Sequence, residues 1–343
     1  MALKNYGVLV GRPIDRRFGT GQNPHYQIHI VDDDTDYRIA VNVQSSDKSA
    51  VQYLVIDRFE HPLVDELALL PVGWHPIPSK AGGIALDYIR GNIVERDKFL
   101  ALPFNIPGPD NDLNEKVDAQ IQRAMGDEDS RIFAFGERWG LKPPEPQKDK
   151  IFGFAPGNGV HDIHANQGND PGHKKDDGVW QDGGVLIHYP KTQQWVGIFL
   201  RFQSQSWHTD DVTGHALSAP DPVITTPGTG TQPTTDNPDG IVRIVAALVN
   251  SKEHPEIETV TLVNASPNEI QLDGWNLADK QKKRMPLSGA IGPGASLNIK
   301  VKKPMELSNK GGIITLLNDD DLKVDGVSYT KSQASNPGWT IVF

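Results

Sequence analysis

The sequence predicts a mostly β chain in two parts, an α+β N-terminal domain rich in antiparallel strands and an all-β C-terminal sandwich. Three observations carry this. At 343 residues the chain is longer than one hydrophobic core usually serves. Its 33 glycines and 26 prolines promise many turns. Short runs of alternating apolar and polar residues recur at both ends, and a stretch with almost nothing to bury separates them. We therefore expect domains at 1–216 and 240–343, joined by a Thr/Pro/Gly linker at 217–239.

Composition bounds the function. With 37% hydrophobic and 23% charged residues, the chain has ordinary globular content. A formal net charge of -10 is the wrong sign for coating nucleic acid by counterion release, so a polyanion would have to be met locally or through a bound cation. There is no cysteine, which excludes disulfides, thiolate metal sites and a cysteine nucleophile. Met1 to Val10 contains no apolar region of signal-peptide length, and no apolar run reaches the roughly 18 residues of a membrane helix. The expectation is a cytoplasmic protein with no membrane span, and export that reads no N-terminal signal stays open.

In order along the chain, Tyr6 to Ile14 reads as a strand ending in a basic turn. His25 to Val31 and Tyr37 to Val43 form a hairpin about the acidic turn Asp32–Asp36, and Val51 to Ile56 adds a further strand. A period of two puts His25, Gln27 and His29 in one polar row, read as a solvent face or, alternatively, as a face floored by a central site. A short helix over Val64–Leu70 stops at Pro71, and Gly83–Asn92 is a second candidate. The longest helix starts with Asp112 as N-cap and Glu115 at N3, repeats Leu113, Val117 and Ile121, and ends at Gly126. Arg131 to Trp139 is a strand, and Val185–Tyr189 with Trp195–Gln203 is a hairpin.

Residues 241–343 carry strands at Val242–Val249, Thr259–Asn264, Gly274–Asp279, Ala295–Val301, Gly312–Asn318 and Val324–Thr330. Their spacing predicts a β-sandwich. Glu258-Thr-Val-Thr-Leu-Val-Asn, Leu272-Asp-Gly-Trp-Asn-Leu-Ala-Asp, Leu307-Ser-Asn-Lys-Gly-Gly and Val324-Asp-Gly-Val-Ser-Tyr resemble, in order, the four landmark segments of lamin-tail domains. The resemblance implies an immunoglobulin-like sandwich and an accessory module that binds a protein or other partner, often beside bacterial hydrolases and nucleases. Trp275 is expected in its core, and Lys280, Lys282, Lys283 and Arg284 form a basic turn.

The densest chemistry lies between Pro156 and Gly184, where histidines, carboxylates and carboxamides crowd a Gly-rich run. Ten of the eleven histidines precede residue 220, so any histidine chemistry belongs to the first domain. Tyr6-Gly-Val-Leu-Val-Gly-Arg-Pro, Leu86-Asp-Tyr-Ile-Arg-Gly-Asn, Phe135-Gly-Glu-Arg-Trp and Gly159-Val-His-Asp-Ile-His-Ala-Asn-Gln-Gly-Asn make the first domain resemble an uncharacterised bacterial family, the YukJ-like proteins. That resemblance implies no activity.

Three readings of the residues stand. In the first, His161, Asp162, His164 and Asp182 bind a divalent metal ion that activates water in a hydrolase of the phosphodiesterase or nuclease class. His161 and His164 face opposite ways on a straight strand, so this set chelates only from a turn. In the second, a metal-free pair such as His161 or His164 with His25, His29, His208 or His215 acts as general acid and base. In both, Asn166, Gln167, Asn169, Arg12 and Arg38 would bind an anionic phosphodiester, with Arg16 and Arg138 as further clamps. The third is a non-catalytic binding protein that uses the same polar loop and exposed aromatics such as Trp139, Trp180, Trp195 and Trp207. No Gly-x-Ser-x-Gly elbow, Walker loop or Rossmann fingerprint is present.

Overall fold

The computed structural model describes residues 6–20, 25–33, 35–45, 51–77, 92–95, 98–103, 106, 111–139, 148–155, 162–164, 183–202 and 240–343, with Tyr6, 137–139, 162–164 and 201–202 described by their backbone alone. Residues 83–91 of the candidate helix Gly83–Asn92, the stretches 156–161 and 165–182, and the linker at 217–239 lie outside the described residues.

The N-terminal part is strand-rich, as expected. Its strands are β1 (Tyr6–Arg17), β2 (His25–Val31), β3 (Asp36–Asn42), β4 (Val51–Ile56), β5 (Gly73–Pro76), β6 (Leu100–Ala101), β7 (Arg131–Trp139), β8 (Asp162–His164), β9 (Gly183–Tyr189) and β10 (Gln194–Phe202). They join one sheet in the order β5-β1-β2-β3-β8-β7-β9-β10-β4-β6. Every pairing is antiparallel except β3 with β8. Because β1 also pairs with β7, the path β1–β2–β3–β8–β7 closes on itself. β1 can serve both neighbours because it bends: residues 6–11 pair with β7, a bulge falls between Pro13 and Asp15, and residues 12–17 pair with β2.

Two helices complete this part, α1 (Leu63–Leu67) and α2 (Asp112–Met125). The N-cap of α2 is Asn111 and not Asp112. Asn111 is extended at φ -119°, ψ 140°, and its side chain accepts from the Asn114 amide at 2.9 Å, so Asp112 is already inside the first turn. Leu113, Val117, Ile121 and Ala124 line the buried face of α2 and join Tyr26, Ile28, Ile30, Ile39 and Val41 in one core. A second core, with Val8, Val10, Phe133, Phe135, Leu186 and Phe199, lies on the opposite side of β1 and β7 and takes Leu63 and Leu67 from α1.

The C-terminal part has β11 (Val242–Leu248), β12 (Thr259–Asn264), β13 (Ile270–Gln271), β14 (Asn276–Ala278), β15 (Arg284–Pro286), β16 (Ala290–Ile291), β17 (Ser296–Lys300), β18 (Gly311–Leu317), β19 (Lys323–Thr330) and β20 (Thr340–Val342). Two four-stranded antiparallel sheets, β17-β12-β11-β20 and β15-β14-β18-β19, contribute to a single buried cluster that includes Trp275. Trp275 is thus a core residue, as its surroundings in the sequence suggest. The basic turn is partly spent internally, with Arg284 on Asp321 at 2.5 Å and Lys280 on Glu66 of α1. Asn92 reaches the same part, donating to the Ile314 carbonyl at 3.1 Å and to Thr315 Oγ1 at 3.0 Å. Among the described residues, no helix is long and apolar enough to cross a membrane.

Candidate functional site

Register alone brings the opening strands and the central stretch together. Across β1, β2, β3 and β8, one row of partners reads Asp15, His29, Arg38, Asp162 and the next reads Arg17, Gln27, Ala40, His164. β7 continues both rows with Trp139 opposite Asp162 and Glu137 opposite His164. Tyr26, Ile28, Ile30, Ile39 and Val41 take the alternate positions and fill the core, so the row partners belong to the outer face.

That outer face is not the plain solvent face first expected for His25, Gln27 and His29. Gln27 is only 2% exposed, and the His29 side chain 13%. The segment 148–155 lies over it, held by a buried ion pair between strand and loop. Arg38 Nε donates to Asp149 Oδ2 at 2.6 Å, and a second guanidinium nitrogen donates to Gln27 Oε1 at 2.7 Å. Asp149 Oδ1 accepts from the amides of Ile151 and Phe152, at 2.9 and 2.8 Å. The loop closes on itself through Asp149 N to the Phe154 carbonyl and Gly153 N to the Asp149 carbonyl, both 2.9 Å. Gly153 has φ +79°, a conformation that side chains rarely adopt. Burial pushes the Asp149 carboxyl up, but the amide bonds from Phe152 and Ile151 and the Arg38 guanidinium outweigh it, and the carboxyl lies below its ordinary range.

The loop so held carries aromatic rings onto β2. The His29 ring stacks with Phe152 at 5.0 Å and 27°, and with Phe154 at 4.8 Å and 21°. The Arg17 guanidinium lies 5.3 Å from the Phe152 centroid. Both phenylalanines are half-buried, and Arg12 and Arg17 on β1 and Lys148 and Lys150 on the loop are exposed. Carboxylates are present too: Asp15 accepts from Arg17 at 2.7 Å, and Asp36 bonds His29 Nε2 at 2.7 Å. Burial raises the Asp15 carboxyl, but bonds from the Arg16 amide and Arg17 outweigh it and leave it lowered.

The predicted site residues separate into three groups. Arg12, half-buried His25 and Arg38 lie on the sheet that also receives Asp162 and His164. Arg38, expected to grip a substrate phosphate, is 4% exposed and is engaged with Asp149 and Gln27. His161, Asn166, Gln167, Asn169 and Asp182 lie outside the described residues, as do His208, His215, Trp180 and Trp207. Asp162–His164 is a strand whose spacing gives Asp162 and His164 the same parity, and His161, on which the chelating turn depends, lies outside the described residues. Among the described residues, no group of three His, Asp or Glu side chains is placed to hold a metal ion. Two further expectations change. Arg16 pairs with Asp118 at 2.6 Å, and Trp195 is a core residue stacked on His188 at 4.3 Å.

Sequence reasoning passed over Arg17, Asp149, Phe152 and Phe154. The signal was the every-second-residue spacing of two lysines and then two phenylalanines in Lys148-Asp-Lys-Ile-Phe-Gly-Phe154, which reads as an ordinary loop until the sheet beneath it is known.

Comparison with known proteins adds relatives and no activity. A family model described as "Uncharacterized conserved protein (DUF2278)" matches residues 1–214. "Uncharacterized protein YukJ" of Bacillus subtilis (strain 168) is 43% identical over 216 residues, which cover 62% of this chain and 93% of that protein. No solved structure matches the chain.

Proposed function

The chain belongs to the DUF2278 family, and from that premise we propose that its N-terminal part acts on a phosphodiester as a metal-assisted hydrolase. The observation that carries this reading is the entry of β8 into the outer-face rows, which sets Asp162 beside Arg38 and His164 beside Ala40, two strands from His25 and His29. His161, Asp162, His164 and Asp182 form a donor set of imidazoles and carboxylates suited to zinc, manganese or iron. Such an ion, when bound, supplies a water that loses its proton near neutrality. His25 would give or take a proton at the reacting oxygen, and Asn166, Gln167, Asn169 and Arg12 would orient the anion. Arg38 serves the same site indirectly, by fixing the loop over it. We read the C-terminal part as a lamin-tail-like, immunoglobulin-like sandwich that acts as an accessory binding module behind the 217–239 linker.

The test is elemental analysis of untagged protein beside turnover of a generic phosphodiester and of DNA. We expect a stoichiometric divalent metal and turnover that His161→Ala and His164→Ala abolish. No metal and no turnover would overturn the hydrolase. A second reading, binding without catalysis, is favoured by the covered outer face, where Arg38 is committed to an internal partner and rings are presented instead.

A further inference from the structure

We infer that the column Arg17–Phe152–His29–Phe154 is a stacking platform for the bases of single-stranded nucleic acid, carried on a barrel of the OB type. The inference rests on the proposed function only for the phosphodiester class of the ligand.

Topology supplies the first support. Taken as a barrel of its own, β1–β2–β3–β8–β7 runs first, second, third, fifth and fourth strand, closed by the first against the fourth. Its long first strand bends at a bulge to pair with both neighbours, and α2, which follows the third strand in sequence, packs into the barrel core. This is the plan of a five-stranded Greek-key OB barrel, which takes ligands on the face of its second and third strands between the loops joining strands one to two and four to five. Here those strands are β2 and β3, and the second loop contains the segment 148–155. The ring column therefore occupies the ligand face of the barrel.

Chemistry supplies the second. A nucleobase presents a flat face to any aromatic platform whatever its identity, and a basic groove then tracks the backbone. Phenylalanines two residues apart, each half-buried and stacked on one histidine, on a loop clamped by a buried ion pair, form a platform that is partly open to solvent. Arg12, Lys148 and Lys150 add exposed cations to Arg17, whose charge Asp15 partly compensates. A duplex hides its base faces and cannot use such a column. A neutral oligosaccharide would stack on the rings but gain nothing from the four cations.

The experiment measures fluorescence anisotropy of a labelled single strand of about sixteen nucleotides, near the upper length one OB barrel covers. The full chain is used in chelator, so that no turnover intervenes, against the matching duplex and a neutral maltooligosaccharide. We expect salt-dependent binding of the single strand over the duplex, weakened about tenfold by Phe152→Ala and by Phe154→Ala and retained by Phe154→Tyr. Circular dichroism of each variant checks that the fold persists. Absence of single-strand binding, equal affinity for the duplex, preference for the oligosaccharide, or well-folded alanine variants with parental affinity would overturn the platform. Hydrolysis is scored separately after adding divalent metal. Binding without turnover overturns the hydrolase and leaves the platform standing, and turnover without single-strand binding does the reverse.

Discussion

Asp149 is the residue on which the geometry of the outer face turns. Its side chain is 1% exposed and holds the buried Arg38 guanidinium while capping the turn that aims Phe152 at His29. Removing one partner of a buried pair leaves the other charge uncompensated. Asp149→Asn should thus lower stability by about 3 kcal/mol at neutral pH, read from the midpoint of urea unfolding. The pH dependence follows from a carboxyl held below its ordinary value of 3.8 in the folded chain. With the folded value depressed, the unfolded chain binds the proton first. The contribution is complete above 3.8 and disappears as pH falls through the lower folded value, so the parent and Asp149→Asn curves should converge only in that acid window. A gap that persists unchanged below it would contradict the assignment.

Among the elements, β1 is the one that makes the barrel close. At Gly11, next to its bend, an added Cβ would come 2.7 Å from the Val31 carbonyl oxygen and 2.4 Å from Ile30 Cγ2. The backbone contact cannot move aside cheaply, so Gly11→Ala should cost about 1–3 kcal/mol, seen in thermal unfolding. Gly292→Ala, with nothing within 4 Å, serves as the silent control. Most elements were legible in the sequence because their signals are local. The β2–β3 and β9–β10 hairpins follow from alternation around short turns, and α2 from the spacing of Leu113, Val117 and Ile121. The cap of α2 was misplaced by one residue because Asn and Asp both cap, and only the backbone angles decide between neighbours. The candidate site was legible in part. The polar row of β2 and the chemistry of 161–164 stand out in the chain, but their adjacency depends on a parallel pairing of β3 with β8, residues 124 positions apart. The pairing of Arg38 with Asp149 is equally non-local, separated by 111 positions.

At the scale of the molecule, the described groups that join the two parts include Asn92 and the pair Glu66–Lys280. Asn92 donates to both Ile314 and Thr315, and an added Cβ at Gly326 would collide with the Asn92 side chain at 2.1 Å. Asn92→Ala should therefore loosen the C-terminal part at a cost of about 1–2 kcal/mol. In calorimetry we expect the unfolding endotherm to broaden or split, and one as narrow as the parent's would show that Asn92 does not couple the two parts. The net charge of -10 is likewise no guide to the outer face, since charged groups act locally there. A last consequence follows from β8. It is three residues long, yet among the described strands it is the one that joins β3 to β7 and so completes the barrel wall. Such a strand is a seam, and its opening would free the facing edges of β3 and β7 to exchange their amide hydrogens with solvent. Any ligand that grips the 161–164 segment should stitch that seam, slowing exchange at residues 38–40 and 137–139 while the β9–β10 hairpin exchanges as before.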